Sequence, residues 1–309
     1  MAKRLLDCTA SDLERMDKDA LLFAMAASEG RVLVCETIGT FTPLVGDVSN
    51  AELAAALGSD VLLLNIFDVE KPVVQGLPTD TPPQEVLRTV KRLTGRVVGI
   101  NLEPVEQGRA SAVDTGLWAL TPGRAATVEN GVKAADMGAD LIVLTGNPGV
   151  GVTNKAITDT LCAYKAAIGD RVILCAGKMH ASGSLTEAGE AIITKDDVDA
   201  FAAAGADMIL LPAPGTVPGL TMEYIRDLIS HAHSLGKLAL TAIGTSQEGA
   251  DVETIRRIAL MCKMAGADLH HIGDSGFTGI AAPENITAYS TVIRGVRHTY
   301  RRMAMSIKR

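Results

Sequence analysis

A fourfold internal repeat constrains this chain more than any other feature. A Gly-small-Asp triplet precedes an apolar run four times: Gly58-Ser59-Asp60 before VLLLN, Gly138-Ala139-Asp140 before LIVLT, Gly205-Ala206-Asp207 before MILLP, and Gly266-Ala267-Asp268 before LHHIG. Four more runs alternate with these, each opened by glycine and a basic residue: Gly30-Arg31 before VLVCE, Gly95-Arg96 before VVGIN, Gly169-Asp170-Arg171 before VILCA, and Gly236-Lys237 before LALTA. The runs are continuously apolar, as parallel strands buried on both faces are. The intervening segments have helical period and start signals at Ser49-Asn50, Thr81-Pro82-Pro83, Thr121-Pro122, Thr153-Asn154, Thr194, Thr221, Asp251 and Pro283-Glu284. Each triplet glycine falls where a helix end needs a left-handed residue. Eight strands, each followed by a helix, predict an α/β protein of the (β/α)8 TIM barrel type. A doubly wound open sheet would more often carry Gly-x-Gly-x-x-Gly after its first strand, and Cys35-Glu36-Thr37-Ile38-Gly39 does not. One helix is left over, roughly residues 10–29 with Ser11 as its cap. Residues 1–30 therefore read as a helical cap over the N-terminal mouth and residues 31–309 as the barrel, in one domain.

Composition narrows the partners. The formal charge of −7 disfavours nucleic acid and anionic membranes, and 3% aromatic residues leave little to stack bases on. No uncharged apolar run approaches the roughly 18 residues of a membrane span. Five cysteines, an odd number with no C-x-x-C pair, read as buried thiols in a reducing compartment. The polar start with Asp7, Ser11, Asp12 and Glu14 predicts no secretory segment. A cytoplasmic protein with no nucleic-acid or membrane partner is expected, with homo-oligomerisation open.

In such barrels the active site lies at the C-terminal ends of the strands. Counting five residues from each opening Arg or Asp gives Glu36, Asn65, Asn101 and Thr145 on one inward phase. The same phase adds Glu103 on strand three and Lys178 on strand five, above an apolar filling of Val34, Leu63, Gly99, Val143, Leu174, Leu210 and Leu240. A solvated structural ion pair is the plain alternative for such a rim. His180, just after Lys178, is the acid–base candidate among the histidines; His271 reads as an inward core histidine below the rim. His231 and His233, two apart on a helix, cannot share a face, so a histidine metal site is not expected.

Two loops are glycine-rich: Gly244-Thr245-Ser246-Gln247-Glu248-Gly249 after strand seven, and Gly273-Asp274-Ser275-Gly276-Phe277-Thr278-Gly279 after strand eight. Backbone N–H groups in such loops can approach an anion closely. The arrangement resembles the phosphate-binding barrel superfamily that includes ribulose-phosphate epimerase and indoleglycerol-phosphate synthase. The resemblance covers the repeat and these two loops. It implies that Gly244, Thr245, Gly273, Ser275 and Gly276 hold the phosphate of a small phosphorylated metabolite. The loop Thr145–Thr153 is a second candidate anion contact, with Asn147 beside the substrate. Long connections at residues 68–81, 103–120 and 180–193 are candidate lids or subunit contacts, with Phe41, Phe67, Trp118 and Phe277 placed to exclude water.

The chemistry expected of this rim is that of a lyase, aldolase or isomerase acting on a small phosphorylated carbonyl or carboxylate compound. In one version Lys178 forms a Schiff base while Glu36 or Glu103 moves protons. In the other, Glu36, Asp68 and Glu103 hold Mg²⁺ or Mn²⁺ to stabilise an enolate. Alternatives are a metal-assisted hydrolase and a non-catalytic phosphometabolite binder; no flavin signature supports FMN.

Overall fold

In a computed structural model of the chain, the described residues are 3–106, 119–146, 151–181, 185 and 188–309. Eight parallel strands close into one barrel: β1 (Val32–Ile38), β2 (Val61–Asn65), β3 (Val97–Leu102), β4 (Leu141–Leu144), β5 (Ile173–Gly177), β6 (Met208–Pro212), β7 (Leu238–Ile243) and β8 (Leu269–Ile272). Two short helices come first, α1 (Ala10–Glu14) and α2 (Lys18–Ala26). Each strand is then followed by a helix: α3 (Asn50–Ala56), α4 (Val86–Thr94), α5 (Val128–Asp136), α6 (Asn154–Ile168), α7 (Lys195–Ala204), α8 (Met222–Ser234), α9 (Val252–Ala265) and α10 (Pro283–Ala304). The protein is a (β/α)8 TIM barrel. Among the described residues, no helix is long and apolar enough to cross a membrane.

The triplet repeat acts as a set of clamps. Gly58, Gly138, Gly205 and Gly266 all have φ between 97° and 110°, which turns each preceding helix back toward the barrel. The aspartate that follows accepts a backbone N–H from the preceding odd-numbered strand. Asp60 takes that of Leu33 at 2.8 Å, Asp140 of Val98 at 3.0 Å, Asp207 of Leu174 at 2.8 Å and Asp268 of Ala239 at 2.8 Å. Each aspartate also meets a basic side chain: Arg294 and Arg302 at Asp60, Lys91 at Asp140, Lys18 at Asp207 and His233 at Asp268.

The single N-terminal helix expected over residues 10–29 is two. Thr9 caps α1 in a reciprocal box with Asp12, and Asp17 starts α2 by accepting from the Ala20 N–H. Leu5, Leu21, Ala24 and Met25 pack with the inward residues of the strands, and Lys18 bonds Asp207 and the Gly169 carbonyl. The helix expected from Thr121 starts at Thr127 instead. Residues 124–126 are drawn away into a short pairing with strand three: Glu103 N–H bonds the Arg124 carbonyl, and Ala126 N–H bonds the Glu103 carbonyl. The cysteines are all free, but Cys162 is exposed rather than buried, because it lies on the solvent side of α6.

Strand five carries the tightest steric condition that backbone sets. A Cβ on Gly177 would stand 1.9 Å from the Leu210 carbonyl oxygen of its pairing partner β6. Neither atom sits on a flexible side chain, so the strands themselves must part. Gly177→Ala is expected to cost about 3 kcal/mol or more, read as a lowered urea midpoint. An unchanged midpoint would mean that β5 and β6 are not in this register.

Candidate active site

Inward residues identify the site. The barrel interior contains Val32 and Val34, Val61 and Leu63, Val97, Leu141 and Val143, Ile173 and Cys175, Met208 and Leu210, Leu240 and Ala242, and Leu269. Continuing those alternations upward brings Glu36, Asn65, Asn101, Glu103 and Thr145 to the C-terminal mouth, where they line a cavity of about 440 Å³. Strand five departs from the expected phase. Its interior residues are Ile173 and Cys175, while Leu174 faces the helices. Val172 is the cause: it inserts one residue between Arg171 and the strand, whereas the other strands start directly after their Arg, Lys or Asp. The shift puts Met179 on the cavity wall and leaves Lys178 buried at 2% exposure outside it, while His180, beyond the end of the strand, joins the wall.

A hydrogen-bonded chain crosses the mouth. The Asn101 amide donates to Asn65 Oδ1 at 3.4 Å, and the Asn65 amide donates to Asp274 Oδ2 at 2.8 Å. Asn65 Oδ1 also accepts the N–H of Ile66 at 2.9 Å. That bond supports a left-handed Ile66 (φ 54°), a strained conformation for a β-branched residue and one that clusters at functional sites. Asp274 Oδ1 accepts the Gly276 N–H at 2.9 Å. Burial, with the negative charge of Glu36 next in weight, pushes the Asp274 carboxyl up to about 7 against these two donors. Glu248 is raised as well, by burial first and then by Glu36. Below Glu36 lies fully buried His271, its Nε2 3.4 Å from the carboxylate. Across the cavity, Asn101 Oδ1 and Thr145 Oγ1 are buried with no hydrogen-bond partner. His180 is lowered by burial, and the Lys178 charge adds to this while Glu36 opposes it, which favours the neutral imidazole.

Neither Glu248 nor Asp274 is among the residues singled out from the sequence, although both stand inside the two glycine-rich loops. The signal was their charge: two carboxylates in loops expected to hold an anion. The structure does not build an anion cradle from the five residues expected there. The Thr245 hydroxyl donates to the Thr216 carbonyl at 2.8 Å, and the Gly276 N–H is taken by Asp274. A Cβ at Gly244 would stand 2.1 Å from the Met179 sulfur, so this glycine makes room for a side chain. Gly273 lies within the same wall, 3.3 Å from Glu248 by the same construction, and Ser275 is left-handed at φ 56°. A phosphate here would face Glu36, Glu248 and Asp274 at once.

The three expected metal ligands do not converge either. Glu103 is ion-paired with Arg124. Asp68 accepts from the Thr121 hydroxyl at 2.6 Å and from the N–H groups of Glu70 and Lys71, as a loop bracket outside the cavity wall. Among the described residues, no group of three or more His, Cys, Asp or Glu side chains has the placement to hold a metal ion. The donor set Glu36, Asp68 and Glu103 therefore does not fit Mg²⁺ or Mn²⁺. Asn147 and Trp118 lie outside the described residues, as does most of the loop after strand three; Phe67 is buried.

Solved structures share the fold at low identity. A crystal structure of an archaeal fructose 1,6-bisphosphate aldolase matches with TM-score 0.56 and 13% identity, over 90% of this chain and 99% of that one. A putative lyase/mutase from Burkholderia cenocepacia J2315 matches with TM-score 0.51 and 18% identity, over 85% of this chain and 82% of that one. At such identities the likeness shows the fold alone. No curated protein matches the sequence. A family match spans residues 6–309, nearly the whole barrel with its cap, and by it the chain belongs to the family described as domain of unknown function DUF7916.

Proposed function

We propose that this barrel is an enzyme of the lyase or isomerase kind, which moves a proton at carbon beside the carbonyl of a small polar metabolite through an enolate-like intermediate. The observation that carries the reading is the placement of Glu36, Glu248 and Asp274, each nearly buried, on one cavity wall, where burial and the charge of Glu36 push the Asp274 carboxyl up to about 7. Two carboxyl groups held in different protonation states are what acid–base catalysis at neutral pH requires. Glu36, propped by His271, takes the proton from carbon; Asp274 delivers one to the developing oxyanion. Asn101 and Thr145, with buried atoms in want of partners, orient the substrate's hydroxyl or carbonyl groups. An anionic end of the substrate, phosphate or carboxylate, lies away from loops seven and eight, where carboxylates would repel it. The lyase/mutase and the aldolase that share the fold are in keeping with this chemistry, as analogy only.

The test is solvent exchange. Hydroxyacetone, pyruvate, glyceraldehyde and their phosphorylated counterparts are incubated with the protein in D₂O, and loss of carbon-bound proton signals is followed by NMR. Exchange or cleavage is expected for at least one compound. Its rate should fall about tenfold per pH unit above about 7, as Asp274 loses the proton it donates. Absence of exchange and of cleavage across the panel would leave a binding protein in place of an enzyme.

A further inference from the structure

We propose that the space between loops seven and eight seats a protonated amino group of the substrate, held by Glu36, Glu248 and Asp274. This deepens the functional reading above and rests on it for the site, not for the reaction. Three carboxyl groups from three separate chain segments face one cavity, each 6% exposed. Among the described residues none of the three has a Lys or Arg ion partner; the nearest ring is that of His271, below Glu36. Glu248 Oε2 is buried with no hydrogen-bond donor. Independently, Asn101 Oδ1 and Thr145 Oγ1 stand unpartnered on the same cavity wall, so the space is built to receive donors. Leaving several such acceptors buried and unmatched is costly unless a ligand supplies the hydrogens.

The shape of the requirement selects the ligand. An ammonium group offers three donors and no acceptor, which suits a wall of carboxyl groups and unpartnered oxygens. A hydroxyl offers one donor and leaves the charge uncompensated. A phosphate offers the wrong sign. Space is available, since a Cβ on Gly276 would meet nothing within 4 Å.

The charged and titratable neighbours fix how binding responds to pH. They are Glu36 on β1, Glu103 with Arg124 at β3, Lys178 and His180 after β5, Glu248 after β7, and His271 and Asp274 on and after β8. Burial holds His180 below its ordinary value, and Arg124 offsets Glu103. Asp274 is the group that changes. An arriving ammonium favours its carboxylate, so the Asp274 proton leaves to the buffer as the ion pair forms, and with such a substrate the ammonium takes over from Asp274 as the proton donor to the oxyanion. The ionised fraction of a group near 7 rises from about a tenth at pH 6 to about nine tenths at pH 8, so affinity for an amine should rise about tenfold over that range.

The experiment is titration calorimetry on the full chain with aminoacetone and ethanolamine, against hydroxyacetone, inorganic phosphate and Mg²⁺. The amines are expected to bind with proton release, read as a buffer-dependent heat, and with affinity rising from pH 6 to pH 8. Glu248→Gln and, separately, Glu36→Gln should each weaken aminoacetone at least tenfold while thermal melts show a folded protein. Hydroxyacetone binding as tightly as aminoacetone, phosphate or Mg²⁺ binding where the amines do not, or amine affinity indifferent to pH and to both variants, would each overturn the assignment. Binding is read here without turnover. Amine binding with no exchange in D₂O would therefore sink the reaction and keep this site; exchange of amine-free substrates without amine binding would do the reverse.

Discussion

Asp274→Asn is expected to reduce turnover by roughly 10²–10⁴-fold, the usual contribution of a positioned acid or base. The same variant should change how stability depends on pH. A carboxyl held near 7 in the fold and near 4 in the unfolded chain binds its proton more tightly when folded. Its contribution is fully present below pH 4 and is lost as pH rises through 7. An asparagine carries no such loss. Melting temperatures of the variant relative to the parent should therefore climb between pH 5 and pH 8, whatever their offset. That offset is not zero, because the new amide must face either the Asn65 amide or the Gly276 N–H, both donors. Loss of activity joined to this slope identifies a group whose strained protonation serves catalysis. Full activity with a flat difference would remove Asp274 from the mechanism.

The largest effect on stability is expected at Asp60. This carboxylate is 1% exposed, pairs with Arg294 and with Arg302 at 2.7 Å, and accepts the Leu33 N–H. Asp60→Ala leaves two buried guanidinium groups uncompensated, which should cost about 3–5 kcal/mol. Arg302 also donates to the Leu5 and Cys8 carbonyls, so the loss should loosen the N-terminal cap as well. Asp140→Ala, whose partner Lys91 is a third exposed, should cost far less. Burial alone would raise the Asp60 carboxyl, but Arg294, Arg302, the Leu33 N–H and Arg96 together hold it below the ordinary range. Its contribution is present above the unfolded value near 4 and disappears as pH falls through the lower folded one. Urea unfolding of the three proteins at pH 7 and pH 3 checks both the ranking and the acid sensitivity. Equal costs at the two aspartates would mean that the arginine cluster is satisfied without Asp60.

The strand order, the helix starts and most of the inward phase were legible because each is carried by local chemistry: a left-handed glycine, a capping hydroxyl, a run with the right alternation. Glu36, Asn65, Asn101, Glu103 and Thr145 follow from that alternation, and the structure brings all five to one cavity. Lys178 went astray through a single extra residue, Val172, because phase is lost entirely by a slip of one. Asp68 is near the rim in sequence but is consumed by Thr121 and its own loop. Glu248 and Asp274 were hidden for a different reason. Glycine spacing says that backbone can come close to something; it does not say whether that something is an anion. The sign of the neighbouring side chains does, and only their burial together shows that it dominates.

The clamps described above divide the barrel into four two-stranded staves, since they tie β1 to β2, β3 to β4, β5 to β6 and β7 to β8, across 27, 42, 33 and 29 residues. The seam between the last stave and the first has no such tie. It is closed by the β8–β1 ladder, by the antiparallel bridge of Thr37 with Ile280 and by the bond of His270 to the Gly30 carbonyl. The Asn65–Asp274 bond and the Glu36–His271 contact both cross that seam. A chain with every local stave formed but this one join open would still lack the carboxyl pair, so chemical competence arrives only with the final, longest-range closure of the barrel.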